Sequence, residues 1–202
     1  VTWHNGDPFT AADVKYTYER AATDESLAEN HIFKVIKEVQ IIDDYTVRFV
    51  TDGPYPTMLS LLSKNGSQVM PSKYIEENGM DYYLEHPIGC GPYQFKEWVK
   101  DNVVVLERYD DYFGGTPYWD EVRFRAIPEA STRVAELLTG NVDIIVNVPT
   151  NEWDRINAEE NTEMLLGNGT RIYNVIMKWN TSPTQNKQVR EAVAYAIDAQ
   201  TI

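Results

Sequence analysis

Cys90 stands between two glycines in the run Pro87-Ile88-Gly89-Cys90-Gly91-Pro92-Tyr93, a setting in which a thiol nucleophile could be displayed on a tight turn. A working thiolate needs a base within reach. His86 is near in sequence, but it forms no recognisable pair with Cys90, and a small residue at a tight turn is the simpler reading. Zinc asks for His, Cys or carboxylates converging on one point. His4, His31 and His86 are dispersed, with neither H-E-x-x-H nor C-x-x-C. Asp43-Asp44 and Asp110-Asp111 could touch a cation, although adjacent loop carboxylates are usually solvated. A serine nucleophile would want G-x-S-x-G, which is absent. A glycosidase pair could hide among the 31 acidic residues, but nothing points to one. Gly114-Gly115 and Gly167-Asn168-Gly169 fit neither phosphate-loop pattern. The expectation is a protein that is not an enzyme, with no metal and no cofactor.

Composition narrows the partners. A chain of 202 residues suits one large domain or two small ones, and 43% hydrophobic with 24% charged residues is ordinary for a globular protein. The net charge of −13 argues against a nucleic-acid surface and against attraction to anionic lipid. A single cysteine rules out an intrachain disulfide. No apolar run approaches the roughly 18 residues of a membrane span. The opening Val1-Thr2-Trp3 and the closing Gln200-Thr201-Ile202 read as interior to a longer protein.

Any site must be positioned by the elements around it. Thr10 and Asp13 form a variant capping box for a helix to about Ala22, with Phe9 and Val14 placed as its hydrophobic staple. Val39 and Ile41 alternate, as do Tyr45, Val47 and Phe49, which predicts a hairpin around Asp43-Asp44. Pro56 starts a helix to Lys64, and another runs from Pro71-Ser72 to Asn78-Gly79. Strands are expected over 93–99 and 103–108, around Val122 and Phe124, over 142–148 and over 171–179. Val134, Leu137 and Leu138 mark a helix stopped at Gly140. Asn151 caps a helix carrying Trp153 and Ile156. Val189, Ala192, Val193, Ala196 and Ile197 define the buried face of a last helix. The two prolines and two glycines of 87–92 read as a stiff crossover from an α+β unit into a mixed sheet with packed helices.

Taken in order, four blocks carry a resemblance. The first is Trp3-His4-Asn5-Gly6-Asp7-Pro8-Phe9-Thr10-Ala11-Ala12-Asp13-Val14, with Tyr16, Tyr18 and Arg20. The second is the crossover itself, with Cys90 where Thr is usual. The third is Leu106-Glu107-Arg108 with Asp111-Tyr112-Phe113-Gly114-Gly115-Thr116-Pro117, running into Val122-Arg123-Phe124-Arg125 and Ile127-Pro128, with Phe113 in place of the usual Trp. The fourth joins Leu138-Thr139-Gly140-Asn141-Val142-Asp143-Ile144 to Asn180 and to Val189-Arg190-Glu191-Ala192-Val193-Ala194-Tyr195-Ala196-Ile197-Asp198. Their order and spacing over nearly the whole chain resemble the extracellular solute-binding proteins of family 5, the peptide and nickel ABC-transporter type.

The resemblance implies an α/β (mixed α+β) protein of the periplasmic-binding-protein-like II fold, with one lobe, an inserted small domain and the second lobe absent. Residues 1–86 would be most of the small inserted domain and 87–202 part of the first ligand-binding lobe. The implied function is a substrate-binding component that captures extracytoplasmic peptides for an ABC permease and ATPase complex. It would sit in the periplasm or be lipid-anchored at the cell surface. Another solute (an oligosaccharide, a nickel complex, haem) and a hydrolase using hidden carboxylates stand as alternatives. The implied ligand-facing residues are Tyr173 and Asn174, on a strand, with His31 and Phe33 on a loop. Gly89, Cys90, Gly91 and Tyr93 would form the interlobe crossover.

Overall fold

A computed structural model of the chain describes residues 1–167, 169, 174–181 and 183–198. It divides into two compact units, Val1–Arg133 and Val134–Ile202.

The first unit opens on a closed turn. A bridge pairs Thr2 with Pro8, and Gly6 takes the left-handed backbone (φ 86°) that a side chain would disfavour. Helix α1, Ala11–Thr23, follows from its cap: Thr10 accepts from Ala12 N–H and Asp13 returns a carboxylate to Thr10 N–H, the expected box. One face of α1 buries Ala11, Thr17 and Tyr18. A single turn, α2 (Asn30–Phe33), leads into the hairpin β1 (Ile36–Asp43) and β2 (Thr46–Thr51). Asp43 accepts Tyr45 N–H at 2.9 Å, which fixes the turn.

Helix α1 packs on β1. Tyr18, Phe33, Ile36, Val39 and Leu61 make the core, with Val14, Val47 and Phe49 against it. Each such side chain stabilises by roughly 1.5–3 kcal/mol when fully buried. The Tyr18 ring meets Phe49 edge-on at 5.3 Å and Phe33 at 5.8 Å. Its hydroxyl donates to Ser67 O at 2.8 Å, so the buried phenol keeps a partner. The free edge of β1 is occupied by α1 side chains: Val39 N–H donates to Glu19 Oε1 at 3.0 Å, and Lys15 Nζ donates to Val39 O at 3.0 Å.

Helix α3, Met58–Leu62, is shorter than the predicted 56–64, because Pro56 and Thr57 form a turn ahead of it. Helix α4, Ser72–Asn78, ends where predicted. Gly79 (φ 89°) closes it, and α5, Met80–Glu85, restarts at once.

The crossover delivers a three-stranded meander of β3 (Tyr93–Val99), β4 (Val103–Arg108) and β5 (Glu121–Arg125). Both pairings in it are antiparallel, so the expected mixed sheet is not seen among the described residues: the connection 100–102 is too short for the crossover that parallel strands need, and 109–120 forms no helix to make one. A register shift between Phe95 and Glu97 puts Trp98 opposite Val104 and Phe95 opposite Leu106, which in turn face Phe124 and Val122. Directly opposed residues share a face, so this face is apolar as far as Arg108, which lies opposite Tyr93 at its end.

Helix α6, Ala130–Leu138, carries the division between the units and buries Val134; Gly140 (φ 72°) follows it, as expected. In the second unit a 3₁₀ turn, Thr150–Glu152, precedes α7, Trp153–Asn157. Asn151 does not cap α7; its amide donates to Glu152 because the 3₁₀ turn places it a step too early. Ile156 is fully buried, and Trp153 Nε1 donates to Val148 O at 3.3 Å. Helix α8, Lys187–Ala196, is capped by Asn186, which accepts Gln188 N–H at 2.9 Å.

Three expectations fail in this unit. Residues 142–148 form no strand, and neither do 174–179, the described part of 171–179. A strand exists only through its ladder, and among the described residues neither segment has one. Ile144, Val146, Val175, Ile176 and Trp179 are accordingly exposed. The apolar stripe of α8 is not buried either: Val189 and Val193 are half-buried, while Ala192, Ala196 and Ile197 are exposed. The periodicity is there, but no described element covers it.

Candidate functional site

The crossover is built around His4. Its backbone N–H donates to Gly89 O at 2.8 Å, and its ring Nδ1 accepts Gly89 N–H at 3.1 Å. Nε2 lies 3.0 Å from Gly91 O. A carbonyl can only accept, so this geometry requires the proton on Nε2 and a lone pair on Nδ1. Three hydrogen bonds therefore staple the glycine run to the opening turn of the chain. The ring also packs against Tyr109 at 4.9 Å, and Tyr109 N–H donates to Pro92 O at 3.0 Å. Gly89 lies close under the ring: a Cβ there would stand 3.4 Å from His4 Cε1, in van der Waals contact. Tyr93 starts β3 and turns its hydroxyl to Trp119 N–H at 3.2 Å. Gly89 and Gly91 are thus tied to the opening turn through His4, with Cys90 between them and Tyr93 at the start of β3.

Cys90 is half-buried within that crossover. Burial pushes its thiol above the ordinary value, against weaker opposing effects from a backbone hydrogen bond and the N-terminal charge. A nucleophilic cysteine needs the reverse. His86 does not serve it: Nδ1 faces Tyr82 O at 3.3 Å and the ring stacks on Tyr82 at 4.3 Å.

A second junction centres on Asp13, only 3% exposed. Its Oδ2 accepts from Trp3 Nε1 at 3.3 Å and Thr10 N–H at 2.8 Å; its Oδ1 accepts from Ser72 N–H at 2.9 Å and Ser72 Oγ at 2.7 Å. One carboxylate thereby joins the opening turn, α1 and α4 through neutral donors. Above it lies a cleft of about 250 Å³, flanked by Trp3, Pro71 and Tyr74 and spanned by the Lys73–Asp7 ion pair at 2.7 Å. The hydrogen bond from Lys73, then that from Asn5, holds the Asp7 carboxyl below the usual range. The capping role of Asp13 was readable from spacing. Its bond to Ser72, far along the chain, had no signal in the sequence.

The residues predicted to face a ligand fare differently. Tyr173 lies outside the described residues. Asn174 is exposed and belongs to no strand. His31 is exposed on α2, its Nδ1 2.8 Å from Ala28 O. Phe33 is 1% exposed and sits in the core between Tyr18 and Lys64. Placing it on a ligand-facing loop is corrected: the α2 turn points the ring inward, where packing uses all of its surface. Among the described residues no group of three or more His, Cys, Asp or Glu could hold a metal ion, and no helix is long and apolar enough to cross a membrane.

Comparison with known proteins bears on this arrangement. The family model described as bacterial extracellular solute-binding proteins, family 5 (middle), matches residues 1–202. The oligopeptide-binding protein AppA of Bacillus subtilis is 31% identical over the whole chain, and the glutathione-binding protein GsiB of Salmonella paratyphi A is 27% identical over the whole chain. The chain spans 38% and 40% of the lengths of those relatives. Among solved structures, the ABC transporter-associated periplasmic binding protein DppA of Helicobacter pylori, in complex with a peptide, superposes with a TM-score of 0.70 at 28% identity, over 80% of this chain and 36% of that one.

Proposed function

This chain belongs to the bacterial extracellular solute-binding proteins of family 5, and from that premise we propose that it is part of a receptor that captures extracytoplasmic peptides for import by an ABC transporter. Proteins of this family bind solutes rather than transform them. The observation that carries the reading is the match along all 202 residues to the family and to an oligopeptide binder.

In this reading residues 1–86 form an inserted small domain and residues 87–202 contribute to the first ligand-binding lobe. The His4 staple then holds the passage between them rigid, so that closure on the ligand happens elsewhere in the protein. Capture proceeds by two lobes closing around the solute, a population shift towards the closed form that binding stabilises. Peptides suit such an enclosure, because backbone groups and bridging waters tolerate varied side chains. His31 and Asn174 are the described residues we assign to ligand contact, with Tyr173 beside Asn174 in sequence. The partners are a permease and its ATPase, and the location is the periplasm or the outer face of the membrane through a lipid anchor.

The test is titration calorimetry of the full-length protein with short peptides, an oligosaccharide, a nickel chelate and haem. Saturable binding of peptides supports the reading. Binding of one of the other solutes alone moves the protein to another substrate class.

A further inference from the structure

His4 commits both ring nitrogens to backbone groups of the crossover: Nδ1 accepts Gly89 N–H at 3.1 Å, and Nε2 donates to Gly91 O at 3.0 Å. The main-chain bond from His4 N–H to Gly89 O, at 2.8 Å, is indifferent to the charge of the ring. The two ring bonds are not alike in this respect. Nε2–H donates in the neutral and in the charged ring, but Nδ1 accepts only while it carries no proton. A proton added to Nδ1 turns an accepted bond into two N–H groups facing each other across 3.1 Å. Turning the ring over offers no escape, because carbon atoms then stand where both nitrogens stood. The conflict lies between atoms already in contact, so it is the same whatever else packs around the ring.

The groups near the ring do not provide for the added proton. In the opening turn, the Val1 amino group is itself a cation, and the Asp7 carboxylate is engaged by Lys73 and Asn5. In the crossover, Cys90 is a thiol that burial keeps protonated. His86, just before it, turns Nδ1 to Tyr82 O. On the segment after β4, Tyr109 lays its ring against the imidazole at 4.9 Å and points its hydroxyl to Thr2. Asp110 there is paired with Arg108, and Asp111 follows it in sequence.

We propose that His4 is a pH-sensitive latch on the crossover, closed while the imidazole is neutral and released at its Gly89 end when Nδ1 takes up a proton. Histidine is the side chain that ordinarily changes charge between about pH 5 and 8, so mild acid is the signal. The latch is built of contacts within the chain and involves no solute, so it stands apart from the peptide reading. The experiment is hydrogen–deuterium exchange of the full-length protein at pH 7.5 and pH 5.5, with the intrinsic pH dependence of exchange divided out. It is read by mass spectrometry on peptides that contain Gly89. Their protection is expected to fall about tenfold at the lower pH, as one hydrogen bond is lost. Peptides from β1 and β2, which hold no histidine, should keep theirs. His4→Asn retains an acceptor oxygen close to the place of Nδ1 and takes up no proton, so its protection should be equal at the two pH values. His86→Asn should behave as the parent does. Unchanged protection in the parent, an equal fall in His4→Asn, loss of the fall in His86→Asn, or a fall shared by β1 and β2 would each overturn the proposal. If His4→Asn loses its far-UV spectrum, the parent and His86→Asn decide between the same outcomes.

Discussion

Asp13 concentrates more structure than any other single side chain described. Its four accepted bonds come from three segments, so its loss leaves Trp3 Nε1, Thr10 N–H and the Ser72 donors without their partner in a buried place. We expect Asp13→Ala to cost about 3 kcal/mol in urea denaturation, and Thr10→Ala, which removes one capping acceptor, about 1 kcal/mol. Equal costs would show that Asp13 is only a cap. Cys90 gives a second prediction. Because burial raises its thiol, it should react with a maleimide at pH 7.5 several-fold more slowly than free cysteine. Cys90→Thr should stay within about 1 kcal/mol of the parent, and a fast-reacting thiol would contradict the packed turn. The sequence made Asp13 legible as a capping residue and Cys90 legible as a turn residue. It did not reveal the Ser72 partner or the His4 staple, because contacts between segments some 60–85 residues apart leave no periodic trace. Phe33 was misplaced for a related reason: whether a ring beside a short polar loop points in or out depends on tertiary packing alone.

At the scale of elements, those that satisfy their own backbone were the readable ones. Helix α1, the hairpin and the strands β3 and β4 sit where alternation and caps put them, since each closes its hydrogen bonds with near neighbours in sequence. Residues 142–148 and 174–179 carry equally apolar patterns but no described ladder partner, and pattern alone does not make a strand. The meander is also tied by charge. Lys96 bonds Glu121 across the sheet at 2.7 Å, and this bond, followed by one from Arg123, lowers the Glu121 carboxyl below its ordinary value. Asp7 is lowered in the same way by Lys73. Carboxylates with depressed folded values stabilise above their ordinary range of about 4 and lose that contribution as pH falls through the folded value. The urea midpoint should therefore decline below about pH 4, modestly because these pairs are exposed. Lys96→Met/Lys73→Met should flatten that acid limb. An unchanged limb in the double variant would assign it to other groups.

At the scale of the molecule, the chain matches family 5 along its whole length yet spans only 38–40% of the relatives compared. The family was legible because its blocks, from Trp3-His4-Asn5-Gly6-Asp7-Pro8 to the 189–198 segment, are spread over both units. The ligand contacts were not, since an enclosing cleft draws its walls from distant parts of a long chain. The central claim is that the protein to which these residues belong captures peptides. The most direct measurement is titration calorimetry of the full-length protein, and of residues 1–202 alone, with a panel of short peptides. The account predicts saturable one-to-one binding by the full-length protein and none at micromolar concentration by the 202 residues. Failure of the full-length protein to bind any peptide, or micromolar binding by the 202 residues alone, would contradict it.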